Sequence, residues 1–205
     1  LKTYSAGMTE RSSSWSIQYA TNEVPWDLGQ AHNELVTRLE DDPTLGLTGV
    51  GTVLVPGCGS GYDAATLADY GWDVTALDFA ASAQLLVEQK LDGRGRFVLA
   101  DLFEYRAEEP FDLVLDHTCF CAIPPQRRAD FGKVMHGVIR PGGLFISIVF
   151  PDGKPMEHGG PPHGMTVHDL TRSLGDTFQL LRDEEADCNG RRWNNRWSVF
   201  VHNSS

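Results

Sequence analysis

The sequence predicts an α/β fold: a mostly parallel seven-stranded sheet, helices on both faces, and a helical arm ahead of it. Three observations carry this. Short β-branched or apolar runs alternate with helix-like segments from Thr52 onward, the order of a parallel sheet. The run Leu144–Phe150 is strongly apolar, as suits a central strand covered on both faces. A glycine-rich turn, Gly57-Cys58-Gly59-Ser60-Gly61, follows the first run, where a doubly wound sheet places its ligand crevice.

In chain order, residues 8–47 read as helical and polar, interrupted at Pro25-Trp26-Asp27. Thr52–Pro56 is the first strand, and Tyr62–Tyr70 follows a helical period. Trp72–Leu77 is the second strand and Ala80–Lys90 a helix. Arg96–Ala100 and Asp112–Asp116 are the third and fourth strands. Gln126–Ile139 is helical, and Pro141-Gly142-Gly143 should stop it before the fifth strand. Phe178–Glu185 and Arg196–His202, on either side of Asn189-Gly190, read as a closing hairpin. With no repeat or low-complexity linker, the 205 residues are expected to form one domain, residues 1–47 as arm and 48–205 as core.

The formal net charge of −11 argues against a nucleic-acid surface or attraction to anionic membranes. No apolar run reaches the roughly 18–20 residues of a membrane span, and the first residues carry no apolar signal segment. The four cysteines, Cys58, Cys119, Cys121 and Cys188, match no zinc spacing, and no metal is expected. They read as reduced, mostly buried thiols of a cytoplasmic protein, expected to be a monomer. Arg191, Arg192 and Arg196 with Trp193 and Trp197 read as edge-strand charges and aromatic packing.

Gly57, Gly59 and Gly61 permit positive φ and close approach of backbone to a ligand. Asp78 ends the second strand at the separation where a carboxylate meets ribose hydroxyls. A dinucleotide frame would require a third glycine where this chain has Tyr62, and Asp63 beside it is a poor neighbour for pyrophosphate. Asp63, Asp78, Asp101 and Asp116 all fall at or near strand ends. That charge pattern suits S-adenosylmethionine, which has no phosphate and carries cationic sulfonium and ammonium groups. Asp101 could accept from the adenine amino group or cap a turn, and Leu102 could pack on the ring.

The segments Val55–Asp63, Asp112–Ile123 and Phe150-Pro151 with Gly159–Pro162 together resemble the thiopurine methyltransferase family, which includes thiol and halide methyltransferases. Trp15, Tyr19 and Pro25-Trp26-Asp27-x-Gly29 are similar to its arm, so the resemblance covers roughly residues 14–165. It implies a Rossmann-like class I methyltransferase with an N-terminal lid, using S-adenosylmethionine and releasing S-adenosylhomocysteine. The implied cofactor contacts are Trp15, Tyr19, Trp26, Gly57, Gly59, Asp78, Asp101, Leu102 and His117. Two departures concern the acceptor: His117-Thr118 replaces an aromatic pair, and His163 replaces the tyrosine that follows Gly-Gly-Pro-Pro.

The expected reaction is methyl transfer to a small soft nucleophile: a thiol or thiolate, bisulfide, thiocyanate, halide or thiopurine. The expected acceptor pocket joins Trp26, Cys119–Ile123 with Phe120 as wall, and Gly159–His163. Trp26 and His163 are the candidate catalytic residues. Trp26 offers an aromatic face to a sulfonium or anchors the arm, and the two roles are compatible. His163 is either a base for a neutral thiol or a solvated loop histidine. An O- or N-methyltransferase with a larger substrate, or a non-catalytic cofactor-binding module, would share the cofactor site.

Overall fold

The computed structural model describes residues 17, 18, 21, 24, 26–41 and 51–203. Trp15 and Tyr19, both expected at the cofactor, lie outside the described residues. The sheet has seven strands: β1 Thr52–Pro56, β2 Asp73–Asp78, β3 Gly95–Leu99, β4 Phe111–His117, β5 Ile139–Asp152, β6 Phe178–Ala186 and β7 Asn194–His202. Their order is β3-β2-β1-β4-β5-β7-β6. β1 to β5 pair in parallel, and β7 runs antiparallel to both β5 and β6. The crossovers carry α2 Tyr62–Asp69, α3 Ala83–Leu91, the short α4 Cys119–Ala122 and α5 Arg128–Val138, while α1 Asn33–Asp41 precedes the sheet. No described helix is long and apolar enough to cross a membrane.

Alternation along the strands divides the core. Val53 and Val55 of β1 join Leu67 of α2, Val87 of α3, Leu35 of α1 and Trp197 of β7 on one face. Leu54, between them, joins Phe131 and Met135 of α5 and Phe145 of β5 on the other. All are buried, and at about 1.5–3 kcal/mol for each large side chain this burial is the main force holding helices to sheet.

Two elements were not foreseen. α4 is four residues long, too short for a helical period, and α6 Val167–Leu174 lies between β5 and β6. α6 begins with a capping box, in which Thr166 and Asp169 satisfy each other's backbone N–H. It packs on α5 at Gly132, where a Cβ would strike the Ser173 carbonyl. The Pro141-Gly142-Gly143 segment also behaves differently from expectation. The helix stops earlier, at Val138, and the segment sits inside β5 as a register break between the Phe111–Ile139 and Leu113–Leu144 pairs.

The described arm is fastened to the core at several places. The His32 N–H donates to Asp63 Oδ1 at 2.9 Å, at the first turn of α2. α1 also seats on the far hairpin. Asn33 donates to Asp187 at 3.0 Å, Arg38 pairs with Glu184 at 2.6 Å, and the Arg38 guanidinium lies over Trp197. Because β6 runs with β1 to β5, the turn after it lies at the carboxyl end of the parallel strands. Arm, glycine turn and hairpin turn therefore meet at one end of the sheet.

Candidate active site

The turn after β1 has Gly57, Gly59 and Gly61 at φ of 58°, 54° and 82°, a region that side chains disfavour. It is tied to β2: Cys58 N–H donates to the Leu77 carbonyl at 3.1 Å, and Gly59 N–H to Asp78 Oδ2 at 3.0 Å. Two of the glycines also make room for the protein itself. A Cβ at Gly57 would lie 3.0 Å from Cys119 Sγ of α4, and one at Gly61 3.0 Å from Val87 of α3.

Asp78 is buried at the end of β2, its Oδ1 accepting from Ala80 N–H at 2.9 Å. Burial pushes its carboxyl up, against the backbone N–H groups that favour the charged form. The Gly59 and Ala80 N–H groups take one oxygen each and the Phe79 N–H lies close, which still leaves acceptor capacity on the carboxylate. Asp101 Oδ1 accepts from Phe103 N–H at 2.8 Å, so its carboxylate caps the turn after β3. Leu102 is 7% exposed and packs with Leu54, Leu77 and Phe120. Asp116, at the end of β4, is fully engaged by Ser147 Oγ and by the Cys119 and Phe120 N–H groups, which start α4.

The arm faces this turn. Trp26 is half-buried, and with Gly57, Cys58, Asp63, His117 and Thr118 it lines a cavity of about 50 Å³. Asp27 binds Ser60 Oγ on the glycine turn. His117 Nδ1 meets Asp63 Oδ2 at 2.6 Å, and His32 packs edge-on against the His117 ring at a centroid distance of 5.0 Å. Burial opposes the charge on Asp63, but His117 and the His32 N–H hold its carboxyl below the usual range. Burial, aided by His117 and Arg191 against the pull of Asp63, drives His32 down to about 3, so it sits neutral in the clasp.

Arg191, expected at a sheet edge, instead sits in the hairpin turn against His117 and the Trp26 backbone, outside the cavity lining itself, a correction that follows from the direction of β6. Its guanidinium donates to the Trp26 carbonyl at 2.9 Å, lies 3.4 Å from His117 Nε2, and covers the Phe150 ring at 4.5 Å. Among the described residues it has no carboxylate ion pair. Burial lowers its pKa, against Cys121 and Asp63, which favour the charged form. Arg196, also expected at a sheet edge, lies instead on the inner strand β7 and pairs with Asp183 of β6, while Trp197 packs in the core as the aromatic reading expected.

His163 lies outside the lining of the cavity over the turn. Its N–H donates to the Cys121 carbonyl at 2.7 Å, which holds the 159–163 loop against α4. Partial burial, Arg128 and Lys154 lower its pKa. Phe120, expected as pocket wall, is fully buried against Phe131. Burial, then Asp78, pushes the Cys58 thiol well up, and burial with Asp116 does the same to Cys119. These stay neutral thiols and are poor nucleophiles. Cys121 is buried and Cys188 exposed.

The structure thus brings Trp26, Gly57, Gly59, Asp78 and His117 to one end of the sheet and leaves His163 on a neighbouring loop. Asp63 as partner of His117, His32, and Arg191 were missed as site residues. For Arg191 a signal existed, since a closing hairpin whose first strand runs parallel must turn at the ligand end. The glycine turn carries no cation, and Asp78 has free acceptor capacity, so these residues fit S-adenosylmethionine rather than a pyrophosphate.

Comparison with known proteins agrees. A family model described as Thiopurine S-methyltransferase (TPMT) matches residues 10–204. The chain is 34% identical to Thiocyanate methyltransferase 1 of Brassica oleracea over 167 residues, covering 78% of this chain and 70% of that protein. It is 32% identical to Probable thiol methyltransferase 2 of Arabidopsis thaliana over 173 residues, covering 82% and 74%. In fold it resembles Burkholderia thailandensis 1,6-didemethyltoxoflavin-N1-methyltransferase, solved with its substrate and S-adenosylhomocysteine. The TM-score is 0.74 at 20% identity, over 100% of this chain and 94% of that one. The chain belongs to the thiopurine S-methyltransferase family, and is a methyltransferase that uses S-adenosylmethionine.

Proposed function

We propose that this enzyme methylates a small soft nucleophile: a thiol or thiolate, bisulfide, thiocyanate, halide or thiopurine. The observation that carries this reading is Arg191, a half-buried cation that among the described residues has no carboxylate ion pair, bound to the Trp26 carbonyl and lying over the Phe150 ring. A guanidinium on an aromatic face offers a soft anion both charge and polarizable surface. The relatives named for thiocyanate and thiol substrates point the same way.

When bound, S-adenosylmethionine supplies an activated methyl group on a sulfonium whose departure leaves a neutral thioether. The chain's own task is alignment and exclusion of water. Gly57 and Gly59 give the cofactor a close backbone approach, and Asp78 takes the ribose hydroxyls. Trp26 covers the reacting end as part of an arm, residues 1–47, that acts as a lid on the core. The loop 159–163, with His163, borders the acceptor. The enzyme acts as a monomer in the cytoplasm.

The test is release of S-adenosylhomocysteine with iodide, thiocyanate, bisulfide, aryl thiols and thiopurines, each as sole acceptor. Turnover with at least one is expected. Cofactor binding without turnover of any of them would overturn the reading.

A further inference from the structure

The Asp63–His117 pair has the construction of a general base. Nδ1 and Oδ2 are 2.6 Å apart, and an ionised carboxylate only accepts, so Nδ1 carries the proton. On the other side, Arg191 lies 3.4 Å from Nε2, and a guanidinium only donates. The tautomer is therefore set from both sides, with a lone pair on Nε2. The ring is held in place by β4 beneath it and by His32 edge-on at 5.0 Å. The charged or titratable groups around it are Asp63 from α2, Arg191 from the hairpin turn, His32 from the arm and Asp116 from β4. The same ring lines the cavity over the glycine turn with Trp26.

The other histidines lack this combination. His32 uses Nδ1 to accept from Glu34 N–H and is buried against Asn195. His202 is enclosed by Ile139, His136 and Phe178. Among the described residues His163 has no carboxylate hydrogen bond, and it is flanked by Arg128 and Lys154.

We propose that His117, oriented by Asp63, is the catalytic base that deprotonates a neutral thiol acceptor, and that Arg191 receives the sulfur as its negative charge develops. This rests on the acceptor class proposed above. The thiol S–H bond breaks with its proton passing to His117 Nε2, which frees the Arg191 N–H from that nitrogen to turn to the sulfur, while a sulfur lone pair bonds to the methyl carbon. The methyl–sulfonium bond breaks with its electron pair left on the departing sulfur. Asp63 balances the imidazolium until it loses its proton to water. An acceptor that is already an anion, such as iodide or thiocyanate, bypasses the base.

That difference supplies the experiment. kcat/KM is measured against pH for an alkanethiol and for iodide, in the wild type, His117→Gln and Asp63→Asn. In His117→Gln the thiol-to-iodide ratio at pH 7 is expected to fall by about 100-fold or more, the size of a lost general base. The loss should shrink as rising pH ionises the thiol unaided. A ratio unchanged in His117→Gln overturns the proposal, because a merely structural role weakens both acceptors alike. Nitrogen-15 NMR of the His117 ring, without cofactor, is a second readout. The wild type should show the Nδ1–H tautomer and Asp63→Asn a mixture; an Nε2–H ring in the wild type overturns the proposal. Wild-type failure with every acceptor would instead remove the acceptor class, and the NMR result would stand apart from it.

Discussion

The proposed cofactor end and the proposed acceptor end of this site lie side by side but are built by different means. The cofactor end is local. Gly57, Gly59 and Asp78 belong to one strand–turn–helix–strand unit, and the bond from Gly59 N–H to Asp78 spans 19 residues. The acceptor end is assembled from the whole chain. Asp63 reaches His117 across 54 residues, Arg191 reaches Trp26 across 165, and Asn195 reaches His32 across 163. A local turn can be kept while distant segments are exchanged, so one cofactor site can serve different acceptors.

The largest test of this division is Asp78→Ala. Two hydroxyl bonds to a carboxylate are worth about 1.5–3 kcal/mol each, so affinity for S-adenosylhomocysteine should fall by about 100-fold or more. Calorimetry would show it, and unchanged affinity would displace the ribose from Asp78. Arg191→Ala comes next. It should raise KM for thiocyanate about 30-fold, roughly 2 kcal/mol for a lost charged contact, with a much smaller change in cofactor affinity. Equal losses for acceptor and cofactor would show that the two ends are one unit, and the comparison would fail.

The same division explains what the sequence made legible. The order of the strands is legible because β1, β2 and β4 are short, largely apolar runs between turn signals, whereas α4 and α6 are not. The glycine turn and Asp78 were readable because their spacing is fixed by one βαβ unit. Asp63 was noticed as an acid near the turn, but its use was not: it binds His117 and the arm. For Arg191 the hairpin direction gives the end of the sheet, but nothing near it in sequence reveals Trp26 or Phe150 as its partners. α4 escaped because four residues show no period, although the Asp116 carboxylate that caps it was visible.

The smallest expected effect concerns how the distant pieces are held, and it has a sign that can be worked out. His32 is completely buried, with a pKa driven down to about 3 from an ordinary 6.5, first by burial. Below pH 6.5 the unfolded chain takes up a proton at His32 that the folded chain refuses. The stability that His32 contributes is therefore whole above pH 6.5 and is lost as pH falls toward 3. Each pH unit in that window costs up to about 1.4 kcal/mol, so the step from pH 6.5 to 5.5 should cost roughly 1 kcal/mol. Urea unfolding of the wild type and of His32→Gln at both pH values isolates this, since glutamine has no titration there. The variant starts less stable, having lost the cap on Glu34 N–H, but its drop between the two pH values should be smaller by about that amount. Identical drops would mean that the imidazole is protonated in the folded protein. The joint of His32, Asp63 and Asn195 would then be an ionic pairing rather than a buried neutral contact, and arm and acceptor end would loosen with salt rather than with acid.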